Sequence, residues 1–296
     1  MRYRPFGPSG MAVSAITLRL TDAPRLRAED WRGLVLAALE TGINSFVFDA
    51  ASPPVLDGAA QAFASLDRRL LFLAWRLRGD QGLVSNSAIK AMLDAVRQRD
   101  SLGRLDLVIL DDPKTPDLPA ELAQALRPQR ESGMIGALAL AGRGEAESTQ
   151  KPSGDFAALS ASFNLSSGWA ERNRIREAMA RDIAVIGEDF WPRTLRERET
   201  RPAPKPSLWR RRTDPLTGLG GYDFLDHTPG WTAEEICLAY ALTEPSLATV
   251  QVSAVKREHI EALAAVAERE LPTGCAAQIE MARFSAREAE RSRRPA

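Results

Sequence analysis

Eight short apolar runs recur along the chain with helix-like stretches between most of them, and this alternation narrows the possible folds more than any other feature. The runs are residues 15–18 (AITL), 45–48 (SFVF), 70–75 (LLFLAW), 105–110 (LDLVIL), 137–140 (ALAL), 158–163 (ALSASF), 183–186 (IAVI) and 248–252 (ATVQV). Near-continuous apolar strands imply burial on both faces, as in a parallel sheet. The stretches between them carry helical signals. Residues 28–39 place apolar side chains behind Trp31, and Asn86-Ser87 reads as a cap for a helix reaching about Arg99. Residues 118–131, 169–181 and 256–270 continue the pattern, and Thr232 followed by Glu235 is a capping arrangement for a helix reaching Leu242.

Eight strands with intervening helices over 296 residues predict a single (β/α)8 barrel domain spanning 1–296. A doubly wound sheet would stop at fewer strands. Two places break the repeat. Residues 142–155 are too polar and glycine-rich for a fifth helix, and residues 190–231 form a long connection after strand seven. Trp191, Trp209 and Trp231 favour packing of that connection, whereas Pro202, Pro204, Pro206 and Arg210-Arg211-Arg212 favour mobility at its centre. Residues 276–296 read as a solvated, basic C-terminal tail.

Charge separates the function classes. Lys plus Arg and Asp plus Glu number 39 each, so no global field steers the chain toward nucleic acid or an acidic membrane. No apolar run approaches the roughly 18 residues of a membrane span. The first residues lack the apolar core of a signal peptide. Two cysteines, Cys237 and Cys275, form no disulfide framework and suit a reducing compartment, so a cytoplasmic location is expected.

Active sites of parallel α/β folds gather where strands hand over to loops. The segment Phe48-Asp49-Ala50-Ala51-Ser52-Pro53-Pro54 stands at such a point and offers one carboxylate before two prolines. Further along, strand ends present Arg76, Asp111, Asp112, Glu188 and Asp189.

These segments, in their order and spacing, resemble the aldo-keto reductases across nearly the whole chain. Residues 1–14 (MRYRPFGPSGMAVS) look like that family's N-terminal hairpin. Thr41 to Phe46 with Phe48-Asp49-Ala50-Ala51 look like its "GINFFDTA" segment. Residues 104–110 and 133–138 look like its fourth strand and the approach to its fifth, and Phe163-Asn164-Leu165 is similar to its "YNL". Strand eight and residues 256–260 (KREHI) resemble its closing cofactor segment. The resemblance implies hydride transfer from a nicotinamide to a carbonyl, with a tyrosine as proton donor, a lysine and an aspartate tuning it, and a histidine orienting the carbonyl.

Aligned by motif, Asp49 matches the aspartate. The tyrosine position falls at Pro54, the lysine position at Arg76 and the histidine position at Asp111. Pro54 carries no acidic proton, and a guanidinium stays charged and relays none. Among cofactor positions, Arg19 replaces a glycine, Ala141-Gly142 replace the carboxamide-holding pair, Ser160 a glutamine, Glu188 the stacking aromatic and Val255 a phosphate-gripping arginine. Asn164, Lys256 and Arg257 remain as candidate cofactor contacts, the last two at a helix start.

The leading expectation is therefore a divergent family member, inactive as a carbonyl reductase, without cofactor, and retained to bind a small-molecule ligand or a partner protein. Asp49 and Arg76 read as a structural ion pair. One alternative is an NADP-dependent oxidoreductase with its proton donor relocated to Tyr222 or His227 on the long connection. A second is different acid-base or metal-assisted chemistry on Asp49, Asp111 and Glu188, since oxygen-rich clusters suit hard divalent cations; polar strand ends without a metal are the plainer reading. His259 reads as a helix-surface residue and Cys237 as core.

Overall fold

All eight apolar runs become strands in the computed structural model, which describes residues 1–78, 84–111, 120–142, 156–193, 195–196 and 222–293. A hairpin of β1 (Tyr3–Pro5) and β2 (Ala12–Ser14) precedes the barrel strands β3 (Ile16–Thr21), β4 (Ser45–Asp49), β5 (Phe72–Leu77), β6 (Leu105–Asp111), β7 (Ile135–Ala141), β8 (Ala158–Ser162), β9 (Ala184–Glu188) and β10 (Thr249–Val252). The eight pair in parallel and close in the order β10-β3-β4-β5-β6-β7-β8-β9. Around them lie α1 (Ala28–Glu40), α2 (Pro53–Phe63), α3 (Asn86–Arg97), α4 (Ala120–Glu131), α5 (Trp169–Met179), α6 (Ala233–Leu242), α7 (Arg257–Val266) and α8 (Thr273–Arg293).

Strand alternation sorts the side chains into two cores. One set faces outward beneath the helices, including Leu18, Leu20, Phe46, Phe48, Leu73, Val108 and Val185. The other fills the barrel: Val47, Phe72, Ala74, Leu107, Ile109, Ala139, Ala141, Ala158, Ala184 and Ile186. Alanine on β7, β8 and β9 leaves room for the larger Phe72, Leu107 and Ile109 opposite. The hairpin closes the lower end. Phe6 packs on Phe72 with ring centroids 4.5 Å apart, and the Arg4 guanidinium donates to the carbonyls of Leu242 and Leu247 at 2.7 and 2.6 Å. Inside, the Thr17 hydroxyl bonds those of Thr249, at 2.8 Å, and Ser45, which satisfies a polar ring within an apolar interior.

Local chemistry sets the helices. Thr232 and Glu235 form the expected reciprocal capping box of α6. At α3 the cap is Ser85, whose hydroxyl accepts from the Ala88 amide, so Asn86 is the first helical residue and not the cap. Helix α2 begins on Pro53-Pro54, where a missing amide hydrogen costs nothing. It lies close against α1: a Cβ on Gly58 would stand 2.4 Å from the Ala28 carbonyl oxygen and 2.6 Å from the Trp31 Cβ.

Residues 276–296, expected as a tail, form most of α8 through Arg293. Cys275, Ile279 and Ala282 are buried on its inner side, at the spacing of one helical face. The long connection partly packs, as its tryptophans suggested. Trp191 and Trp231 lie against the outer core, the Arg269 guanidinium sits 3.5 Å from the Trp231 ring centroid, and residues Asp223–Asp226 form a 3-10 turn. Trp209, Arg210-Arg211-Arg212, Asp112 and the place of a fifth helix at residues 143–155 lie outside the described residues. No described helix is long and apolar enough to cross a membrane.

Candidate functional site at the barrel mouth

Most inward positions at the upper ends of the strands carry charged or polar side chains instead of hydrocarbon. In the sheet register Asp49 stands beside Thr21 and Arg76, and Asp111 beside Ala141. Because alternate residues share a face, Arg78 follows Arg76 inward just past the end of β5. Arg19 and Thr21 on β3, Ser160 on β8, Glu188 on β9 and Gln251 on β10 complete the ring.

Three arginines and three carboxylates interlock there. Arg78 grips Asp49 bidentately, with Nε and Nη2 each 2.7 Å from a carboxylate oxygen, and its Nη1 donates to Asp111 Oδ2 at 2.9 Å. Arg76 donates through Nη2 to Asp111 Oδ1 and through Nη1 to Glu188 Oε1. The Ser160 hydroxyl donates to the same Glu188 oxygen. Arg19 makes an ion-pair contact to Asp49 at 3.6 Å. The expected pairing of Asp49 with Arg76 is thereby corrected: Arg78 takes Asp49, and Arg76 turns to Asp111 and Glu188. Barrel tilt brings the ends of β6 and β9 within reach of the β5 guanidinium, a long-range consequence of closure.

Burial makes this network electrically strong. Asp49 is 1% exposed and Arg76 7%. Burial works to raise the pKa of Asp49, but the hydrogen bonds and charge of Arg78, with Arg19 and Arg76, outweigh it and hold the carboxyl below its ordinary range. Burial likewise works to lower the pKa of Arg76, and Glu188, Asp111 and Asp49 reverse it, leaving the guanidinium more firmly protonated than usual. Two of the carboxylate-bearing strand ends are followed by residues in the left-handed region, Ala50 (φ 51°) after Asp49 and Asp189 (φ 51°) after Glu188. Non-glycine residues there cost on the order of 1–2 kcal/mol, so local strain accompanies the network at both turns.

The remaining candidates lie apart from this ring. Tyr222 is buried next to Phe224, and burial pushes its phenol up to about 12, with Arg283, Tyr240, Cys237 and Glu280 as its electrostatic neighbours on α6 and α8. His227 is exposed at the end of the 3-10 turn. His259 bonds Glu234 at 2.9 Å, and that bond raises its pKa. Asn164 holds its own loop, accepting from the Ser166 amide at 2.9 Å and donating to the Asp189 carbonyl at 3.0 Å. Arg257 is engaged by Glu40 and Glu261 at 2.6 and 2.7 Å, while Lys256 precedes it as an exposed N-cap. Among the described residues no three His, Cys, Asp or Glu side chains gather to hold a metal.

The family model described as "Aldo/keto reductase family" matches residues 19–283. The chain is a member of the aldo/keto reductase family. Solved aldo-keto reductases share its architecture at low identity. One from Bacillus halodurans, in holo form, is 18% identical with a TM-score of 0.69, covering 95% of this chain and 96% of that one. Another, from Klebsiella pneumoniae in complex with NADPH, is 16% identical with a TM-score of 0.68 over 95% of each chain. A putative aldo-keto reductase from Pseudomonas aeruginosa is 17% identical with a TM-score of 0.63, over 90% of this chain and 94% of that one. No curated protein shows significant sequence similarity. As an aldo/keto reductase family barrel, the chain places its charged ring at the strand ends where the family resemblance located the reacting groups.

Sequence reasoning missed Arg78, Thr21 and Gln251 as ring members. Arg78 was legible as the next inward residue after Arg76. Arg19 was noted only as a replaced glycine, and its neighbour Asp49 became evident only through the β3–β4 register.

Proposed function

We propose that this protein is an aldo-keto-reductase-like barrel that has given up the family's hydride-transfer site and uses its mouth to bind a ligand other than a nicotinamide. The observation carrying this reading is the arginine–carboxylate lock of Arg76 with Asp111 and Glu188. It spans β5, β6 and β9, and it occupies the positions that the resemblance gives to the lysine, the histidine and the aromatic that stacks on the nicotinamide. A nicotinamide needs a flat apolar partner and amide-binding groups. Here the stacking position is a charged carboxylate, the carboxamide position is Ala141, and the Ser160 hydroxyl is engaged by Glu188. The residues present do not fit the cofactor.

The proton donor is also lacking. Pro54 stands in the first turn of α2 with no acidic group. Tyr222 is a poor substitute: its phenol is pushed up to about 12 and its charged neighbours, Arg283 and Glu280, lie on α8. A cation would meet three carboxylates already bound to guanidiniums, which argues against metal-assisted chemistry on Asp49, Asp111 and Glu188. Two buried free thiols accord with the cytoplasm as the working compartment. The decisive experiment is a fluorescence titration with NADPH followed by a carbonyl-reduction screen. The proposal expects neither saturable micromolar binding nor turnover, and finding both would overturn it.

A further inference from the structure

The ring balances in formal charge but not in hydrogen bonds. Asp49 accepts from Arg78 on both oxygens, Asp111 accepts from Arg76 and Arg78, and Glu188 accepts from Arg76 and Ser160. Arg19 is left over. Its one charged contact within the described residues is 3.6 Å from Asp49, too long for a hydrogen bond. Its Nε is buried without a partner, and so are the Thr21 hydroxyl on the same strand face, the Gln251 Nε2 on β10 and the Arg76 Nε. Gln251 pairs in register with Thr17, so its backbone lies one layer below Arg19 on the adjoining strand. Gln251 is 6% exposed.

Three of these orphans are obligate N–H donors and the fourth is a hydroxyl able to donate. Leaving them bare costs on the order of 1–3 kcal/mol each. A lone water has two lone pairs and accepts from at most two of these four donors. An oxygen acceptor bearing charge satisfies it well. The Arg19 side chain is 34% exposed and that of Arg78 51%, so this corner of the mouth opens to solvent.

From this surplus of donors we infer that the corner formed by β10, β3 and β5 is a binding site for the carboxylate of a small organic acid, gripped bidentately by Arg19 with Gln251 and Thr21 as further donors. The inference deepens the ligand-binding reading above and rests on it for the absence of a nicotinamide. Arg76 and Arg78, committed to the chain's own carboxylates, serve as the rigid floor.

The test uses the full chain with acetate and benzoate as probes, acetamide and benzamide as neutral isosteres, and chloride at matched ionic strength, read by calorimetry and thermal shift. Saturable binding of the carboxylates alone is expected, weakened roughly tenfold or more in Arg19→Met and less in Gln251→Leu. Equal responses to chloride, no saturable carboxylate binding, or binding unchanged in both variants would overturn the inference. Should Arg19→Met fail to fold, Gln251→Leu and a crystal soaked in benzoate decide, and water alone at the Arg19 edge counts against it. Running the NADPH screen in parallel separates the two claims. Turnover with intact, Arg19-dependent carboxylate binding overturns the function proposed above and leaves this site standing. No turnover and no carboxylate binding overturns this site alone.

Discussion

Replacing Arg76 by methionine removes the centre of the charged ring while nearly preserving side-chain volume. Asp111 keeps Arg78 as a partner at 2.9 Å, but among the described residues Glu188, 9% exposed, keeps only the Ser160 hydroxyl. Stripping one partner from a buried ion pair leaves an uncompensated charge and costs about 3–5 kcal/mol. Removing the Glu188 carboxylate by substitution as well relieves most of that cost. Arg76→Met is therefore expected to lose about 3–5 kcal/mol in urea unfolding at neutral pH, and the double variant Arg76→Met/Glu188→Met to recover much of it. A double-mutant cycle then gives a coupling near the upper end of the range for contacting residues, about 2–3 kcal/mol. A loss under about 1 kcal/mol for the single variant would put the pair in the class of exposed ion pairs and refute the argument from burial. A double variant less stable than Arg76→Met would refute it as well.

Three further outcomes follow from other parts of the molecule. Asp49 has its pKa depressed in the folded state, so its contribution is present above its unfolded value of about 4 and is lost as pH falls through the lower folded one; the stability gap between the wild type and Asp49→Asn is expected to narrow on acidification below about pH 4, and a gap constant with pH contradicts this. Gly58→Ala forces a methyl group to within 2.4 Å of the Ala28 carbonyl, and calorimetry is expected to show a loss of about 1–3 kcal/mol, with an unchanged midpoint counting against the close α1–α2 approach. Thr232→Ala removes the hydroxyl that accepts from the Glu235 amide at 3.2 Å, for a loss of about 1 kcal/mol by the same measurement.

The barrel was legible because each strand is a short apolar run buried on both faces, a signal that survives without knowledge of partners. Helix α8 was obscured by its arginines and glutamates, although Cys275, Ile279 and Ala282 mark one buried face. The Ser85 cap was displaced by one residue because Ser85, Asn86 and Ser87 all have capping side chains, and only backbone conformation selects among them. At the mouth, Asp49 was found from its place at a strand end, and Arg76, Asp111 and Glu188 from the positions that the family resemblance assigned. Which carboxylate meets which guanidinium was not legible, since the choice depends on strand tilt and on the reach of side chains across a closed ring. Arg78 wins Asp49 because its fork meets both carboxylate oxygens at 2.7 Å.

The most direct test of the central claim is a crystal structure of the full chain grown with excess NADPH. The account predicts Arg76 still bound to Asp111 and Glu188, with no nicotinamide in the barrel mouth. A nicotinamide ring seated over Asp49, with the Arg76–Glu188 contact broken, would contradict it.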